Sequence, residues 1–370
     1  MPSNQPLIQA FDDLPGPRQR AKCTHQLGDL LVIAACTLLS GGSGFNDMEL
    51  FARTLQELLR TFLELPGGVP RHDTFNRLFA ALDPEAFLDA FVRWVQSVRL
   101  KVDNEVVALD GKALRRAVPS GRPVPYLISM WATEAGLALG QRKVADKSNE
   151  ITAVPDLLRA LDLAGCIVTA DALLCQKRVA REIIESDAQY VLALKGNHDR
   201  VYEEMKSYLK EAIERGDRQL DWEEEMDKDH GRLEIRRCWQ SQDLDWFADR
   251  AQWEGLRTVA VVESERLIGQ QKATIERRYY LSSLPLDAAG LSRAVRRHWG
   301  IENQPHWSLD VIFGEDQSRA RTGHAAQKLA LVRKWSLNRL QQDRGHSTSL
   351  RGKRLQAAWD RDYLKQLLTS

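Results

Sequence analysis

Apolar positions change their period along this chain, and the changes mark out its elements. Over residues 1–100 they recur at helical spacing. The run "HQLGDLLVIAACTLLSGG" predicts an apolar helix ending in glycines, and "FNDMELFARTLQELLRTFLEL" an amphipathic helix that stops at "PGG". "RHDTFNRLFAAL" predicts a third helix with Asp73 as its N-cap. "DPEAFLDAFVRWVQSVR" predicts a fourth with Pro84 in the first turn, where a missing N–H costs little. Together these make a compact all-helical module.

Past residue 100 the period shortens. "EVVALDG" (105–111) reads as a buried strand ending in an acid, and "YLISMWAT" (126–133) and "GLALGQRKVA" (136–145) as the next two strands. "NEITAVPDLLRALDLA" is helical, with Asn149 and Glu150 at its cap. "GCIVTADALLC" (165–175) is a second buried strand ending in an acid; "QKRVAREIIES" is a helix and "QYVLALKG" a strand. The order β-β-β-α-β-α-β predicts a mixed sheet with crossover helices, hence an α/β fold. Residues 199–216 predict one long amphipathic helix. Residues 217–285 alternate charged and apolar positions ("RLEIRRCWQ", "RTVAVVES", "RRYYLSSL") and predict a strand-rich insertion; "DAAGLSRAVRRHWGIEN" returns to helix. Five segments follow: a helical module (1–100), a sheet core (101–216), a β-rich insertion (217–285), a core completion with the helix of Glu302 (286–345) and a basic tail (346–370), part of it expected to be mobile.

Composition narrows the class. Of 370 residues, 43% are hydrophobic and 28% charged, which excludes global disorder. Five scattered cysteines without a CxxC pair exclude a disulfide framework and a zinc knuckle, and a reducing, cytoplasmic setting is expected. The most apolar run, "LLVIAACTLL", is too short to span a bilayer, so no membrane association is expected. The net charge of +1 hides an asymmetry. Residues 201–250 carry 15 acids against 9 bases, whereas residues 318–370 carry 12 bases against 3 acids. A basic carboxyl-terminal region points to a polyanion, or else to a solvated helix face.

Asp110 and Asp171 each end an apolar strand, where side chains converge on a cleft. A lone aspartate there is commonly a cap or turn former; two, on strands predicted to be neighbours, favour a site. Glu302 is the third candidate. Three carboxylates can bind two hard divalent cations such as Mg2+ or Mn2+, which leaves open positions for a phosphodiester.

Several long strings match one family. "ALDGKALRRA", "SNEITAVPDLLRALDLAGCIVTADALLCQK", "YVLALKGN", "HGRLEIR", "YYLSSL" and "HWGIENQPHWSLDVIFGED" closely resemble the H-repeat-associated insertion-sequence transposases, over about residues 8–340. The resemblance implies a DDE transposase with a ribonuclease-H-like core and a triad of Asp110, Asp171 and Glu302. It implies two Mg2+ or Mn2+ ions per site, double-stranded DNA as partner (inverted-repeat ends and target), a homodimer, and a bacterial, nucleoid-associated location. The sequence departs from related groups around the last acid. His298 stands at an arginine position, Leu309 at a lysine position, and Pro305 follows the glutamate where it can bend or end the helix.

Candidate DNA contacts are Lys112, Arg115, Arg296, Arg297, Arg319 and Arg321 beside the acids, and Arg232, Arg236, Arg237 and Trp239 in the insertion. The insertion aromatics, Tyr279 and Tyr280 included, either stack on DNA or fill a core. Lys195 to His198 shape a cleft rim or simply form a turn. Asp310, Glu315 and Asp316 are a second acidic group, either a spare metal ligand or part of a segment whose Trp307, Leu309, Val311 and Phe313 pack on a sheet edge. His298 and His306, each followed by Trp, are expected as core pairs, and Cys166 and Cys175 as inert. "VPRHDTFNRLF" is a candidate recognition helix. The rival readings are a DNA-binding former transposase without activity, a metal-dependent nuclease without strand transfer, and a two-carboxylate glycosidase.

Overall fold

A computed structural model describes residues 6–17, 23–118, 124–144, 150–229, 232–268 and 273–369. Its helices are α1 (Leu27–Leu39), α2 (Phe45–Thr54), α3 (Gln56–Leu59), α4 (His72–Ala81), α5 (Pro84–Val98), α6 (Glu150–Arg159), α7 (Lys177–Glu185), α8 (Asp199–Glu214), α9 (Ala288–His298), α10 (Ala325–Gln342), α11 (Leu350–Trp359) and α12 (Arg361–Thr369). Its strands are β1 (Val106–Ala113), β2 (Tyr126–Ala132), β3 (Leu137–Val144), β4 (Ile167–Ala170), β5 (Gln189–Leu194), β6 (Asp221–Asp229), β7 (Arg232–Ser241), β8 (Thr258–Ile268) and β9 (Thr274–Ser282). They follow the order β3-β2-β1-β4-β5-β9-β8-β7-β6. The strands β1, β4 and β5 run parallel, while the pairs β2–β3, β5–β9, β9–β8, β8–β7 and β7–β6 are antiparallel. The α/β class with a mixed sheet and a helical amino-terminal region thus holds. Asn149 lies outside the described residues.

The chain forms two compact units. A helical unit comprises Met1–Lys101, Gly111–Ala153 and Glu302–Ser370; a sheet unit comprises Val102–Asp110 and Val154–Ile301. β1 passes from one to the other between Asp110 and Gly111.

The helical unit is organised around α10, which is buried along almost its whole length. Trp335 receives the edges of Phe11, Phe87 and Phe91, with ring centroids 4.8, 5.4 and 5.1 Å away. Asn338 copies a strand neighbour: its side chain accepts from the Ala138 N–H and donates to the Ala138 carbonyl, at 2.8 and 2.9 Å.

Half of the 12 bases in residues 318–370 are buried rather than solvated: Lys328, Arg333, Lys334, Arg339, Lys353 and Arg354. Each finds an uncharged oxygen. Lys328 donates to the carbonyls of Phe79 and Leu82 at the end of α4, Arg333 to Ser43, and Arg339 to Leu367. Lys353 donates to Leu340, Lys334 to the side chain of Gln141, and Arg354 to Leu38, Gly42 and Ile312. A buried cation is tolerated only when so satisfied. Half of the carboxyl-terminal positive charge is therefore internal, and the excess does not by itself call for a polyanion. Nor is the segment after Gly345 a mobile tail. It folds into α11 and α12, and Tyr363, Leu364, Leu367 and Leu368 are buried.

Two local expectations change as well. The N-cap of α4 is Arg71 without a side-chain bond, because Glu49 already accepts from the backbone N–H of His72; Asp73 sits inside the first turn. The expected cap of α5 does form, with Asp83 accepting from Ala86 N–H at 2.7 Å ahead of Pro84.

In the sheet unit, Leu291, Ala294 and Val295 of α9 join a core with Val106, Ile167, Val191, Cys238, Ala260, Val262 and Tyr280. The acid-rich β6 is a strand because its charges are met across and beyond the sheet. Glu224 receives Arg237 from β7, and Glu225 and Asp227 receive Arg296 from α9.

Candidate active site

Asp110 and Asp171 occupy equivalent places on neighbouring parallel strands. The register pairs Leu109 with Ala170; Asp110 is the next residue along β1, which runs on to Ala113 rather than ending at the acid, and Asp171 is the first residue after β4. Parallel neighbours lie about 4.8 Å apart, and residues in register face the same side. Both aspartates are half-buried. Asp171 also accepts, at 3.2 Å, from the Leu174 N–H of the short turn Ala172–Leu174. That turn is braced from β5's far end: Asn197 donates to the Ala172 carbonyl at 2.6 Å, and the His198 ring bonds the Cys175 carbonyl at 2.7 Å. The 195–198 segment therefore supports the loop after the second acid.

Glu302 follows α9 and opens the part of the helical unit that runs to the carboxyl terminus. Its side chain is exposed. The regular helix ends at His298; Glu302–His306 and Ser308–Ile312 are wound as π-helix, with Pro305 inside the first. Proline removes an N–H from the ladder, and the wider winding accommodates that loss. Leu309 and Phe313 are buried while Trp307 is 54% and Val311 62% exposed. The apolar side of this segment thus follows a helical period, not the every-second-residue packing of a sheet edge.

His298 is tied down. Its Nδ1 and the Thr169 hydroxyl share a hydrogen bond of 2.9 Å. Burial pushes the imidazole down to about 4, against the pull of the Asp171 carboxylate. It is neutral at pH 7. Next to it, the Arg278 guanidinium lies 4.1 Å from the centre of the Trp299 ring. The role of Thr169 was invisible in the sequence, where it is one apolar-strand residue among several.

The candidate cations differ in how they are held. Lys112 Nζ donates to Asp310 and, at 2.8 Å, to Glu315. Arg237 is gripped by Glu224, Glu263 and Glu265 at 2.7, 3.0 and 3.0 Å, and Arg236 by Glu234 at 2.9 Å. Arg296 is held by Glu225 and Asp227. Arg115, 78% exposed, stands 3.8 Å from Asp316. Arg319 and Arg321 are exposed, and Arg321 donates to the Arg116 carbonyl at 3.1 Å. Arg297 is exposed too. Arg232 begins β7, at the edge of the described residues.

In the insertion, Tyr279 and Tyr280 are buried, and Tyr279 meets the edge of Tyr202 at 5.3 Å. Trp239 pairs across the strands with Trp222, an exposed aromatic that sequence reasoning passed over. Cys166 and Cys175 are buried, and burial raises the Cys175 thiol.

Among the described residues no group of three or more His, Cys, Asp or Glu is gathered to hold a metal ion. Within the sheet unit the candidate donors are Asp110 and Asp171. Two hard carboxylates side by side suit Mg2+ or Mn2+, which keep several waters, better than zinc. No helix among the described residues is long and apolar enough to cross a membrane.

Comparison with known proteins gives the chain its class. A DDE_Tnp_1-associated domain matches residues 8–95, and the family described as Transposase DDE domain matches residues 103–339. The chain belongs to the DDE transposase family and is a DNA transposase of the insertion-sequence type. It is 36% identical over 370 residues to the "H repeat-associated putative transposase YhhI" of Escherichia coli K12, covering 98% of this chain and 97% of the other. It is 33% identical over 373 residues to the "Putative transposase YncI" of Escherichia coli O157:H7, covering 100% and 95%. A solved piggyBac transposase synaptic complex with hairpin DNA aligns with TM-score 0.43 and 11% identity, over 98% of this chain and 77% of that one. Membership implies use of divalent metal.

Proposed function

We propose that the protein binds the inverted-repeat ends of its own element, hydrolyses a phosphodiester at each, and joins the freed 3′-hydroxyl to target DNA in the same site. The observation that carries this reading is that Asp110 and Asp171 directly follow Leu109 and Ala170, the last paired residues of two neighbouring parallel strands. In this reading they hold a pair of Mg2+ or Mn2+ ions, and Glu302 completes the ligand set. When bound, such ions activate the attacking oxygen and stabilise the leaving one. The protein's own contribution is to fix the carboxylates and the DNA backbone. Arg115, Arg297, Arg319 and Arg321 are exposed and suit phosphate contacts. Arg236, Arg237 and Arg296 would first have to release their carboxylates. Two ends must be held at once, so the working species is a homodimer.

The test is Mg2+-dependent cleavage of an end-bearing duplex, followed by joining of pre-cut ends to a plasmid. Activity in the wild type, and its loss in Asp110→Ala, Asp171→Ala and Glu302→Ala, is expected. Full activity in any one variant removes that residue from the ligand set. Cleavage without joining would make the protein a nuclease, and binding without either a DNA-binding former transposase.

A further inference from the structure

Lys112 stands two residues beyond Asp110, near the end of β1, yet it is withdrawn from solvent. Its side chain is 13% exposed, and its amine donates to Asp310 Oδ1 and Glu315 Oε2. Glu315 is more enclosed still, with its side chain 1% exposed. Lys334 and Arg333 of α10 add positive charge to the Glu315 surroundings. All five residues belong to the helical unit.

The partners of Lys112 lie just beyond the last candidate acid, Asp310 eight residues and Glu315 thirteen residues after Glu302. The intervening chain is the π-wound segment broken by Pro305. Winding of that kind has little stability of its own. Its placement must come from anchors outside it. Three are visible: the buried Leu309 and Phe313, the Arg354 bond to the Ile312 carbonyl, and the Lys112 pair. Of these, only Lys112 belongs to the strand that carries the first acid.

We propose that Lys112 is a positioning residue: by clasping Asp310 and Glu315 it sets the placement of the Glu302-bearing segment against the end of β1. The proposal rests on the reading of Glu302 as a metal-binding carboxylate. It makes Lys112 part of the catalytic geometry without contact to DNA. A lysine reaching for a phosphate would take from the enclosed Glu315 the ammonium that donates to it, which is costly. It also gives Asp310 and Glu315 a task other than metal binding.

Three variants test this: Lys112→Met, Glu315→Gln and the double variant. The readouts are amide hydrogen exchange over residues 302–313, affinity for end DNA as a function of salt, and single-turnover cleavage at saturating DNA and Mg2+. Each single variant is expected to expose 302–313 to exchange and to slow cleavage by about 100-fold, the cost of an ångström-scale misplacement, with unchanged DNA affinity. The double variant removes both members of the enclosed Lys112–Glu315 pair and leaves only the part-exposed Asp310 without its lysine. It should recover thermal stability, while both exchange protection and rate remain low. If single variants do not fold, the double variant still decides. The proposal is overturned if Lys112→Met lowers DNA affinity and reduces the salt slope by about one while 302–313 stays protected. Recovery of the rate in the double variant overturns it equally. Should the wild type fail to cleave, the catalytic reading fails, and the exchange data still report on the clasp by themselves.

Discussion

Thr169 and His298 are joined by a 2.9 Å hydrogen bond that links β4, two residues before Asp171, to the end of α9, four residues before Glu302. A single contact thereby couples the strand of the second acid to the helix leading toward the third. Thr169→Val keeps the shape and leaves the enclosed Nδ1 without its partner. The expected cost is about 1–3 kcal/mol in urea unfolding, with a larger proportional loss of cleavage than of DNA affinity. Thr169→Ser retains the hydroxyl and should behave as wild type. Equal stability of the valine and wild-type proteins would remove the bond from the account.

Two half-buried histidines set a pH dependence. Burial holds both His298 and His306 down to about 4 in the folded protein, whereas an unfolded histidine titrates near 6.5. Above about pH 6.5 both states are neutral and no penalty exists. As pH falls from about 6.5 toward 4, the unfolded chain takes up protons that the folded one refuses, so stability drops, by up to about 3 kcal/mol per histidine. Urea midpoints between pH 7.5 and 4.5 should decline accordingly, and His306→Gln should flatten part of the slope. A midpoint constant across that range contradicts the assignment.

The parts of this fold that were legible in the sequence are those where one local pattern suffices. β1, β4 and β5 are short apolar runs flanked by turn residues, and their burial follows directly. Asp110 and Asp171, which follow the apolar runs of β1 and β4, stood out for the same reason, although β1 continues to Ala113. What escaped depends on partners remote in sequence. β6 reads "DWEEEMDKD", with few strand formers; Arg237 and Arg296 make it a strand by meeting its charges. Lys328 through Arg354 read as surface because charges normally are, and only the folded chain reveals the carbonyls waiting for them. Around the site, the acids could be named from strand ends, but the Thr169–His298 bond and the Lys112 clasp span 129, 198 and 203 residues.

The buried cations give a stability prediction of their own. Lys328→Met removes the donor from the carbonyls that end α4 and leaves them enclosed without it. A loss of about 1–3 kcal/mol is expected, and Lys328→Arg should only partly restore it, since a planar fork does not replace a point charge. Truncation after Arg344 should cost more. It deletes Arg354, with its bonds to Leu38, Gly42 and Ile312, and the buried face of α12. Thermal melting of the full chain and the truncated one decides: equal midpoints would mean that the last two helices are dispensable.

Arg237 and Arg319 separate internal charge from charge offered to DNA. Arg237 is bonded to three carboxylates across β6 and β8, and Glu263 is also held by Arg277 at 2.7 Å. Because Glu263 keeps that second partner, Arg237→Met should loosen the insertion by only about 1 kcal/mol, read as faster amide exchange in β6 and β7. Its DNA affinity and salt slope should stay at wild-type values. Arg319 is exposed, beside Arg321 in sequence and near the acidic segment that binds Lys112. Arg319→Ala should leave the melting temperature unchanged and weaken end binding, with the salt slope falling by about one for a lost phosphate contact. The two substitutions therefore move opposite observables. If Arg237→Met instead reduced the salt slope while its exchange pattern stayed fixed, the cross-strand carboxylates would have to give way on binding, and the insertion would join the DNA-contacting surface.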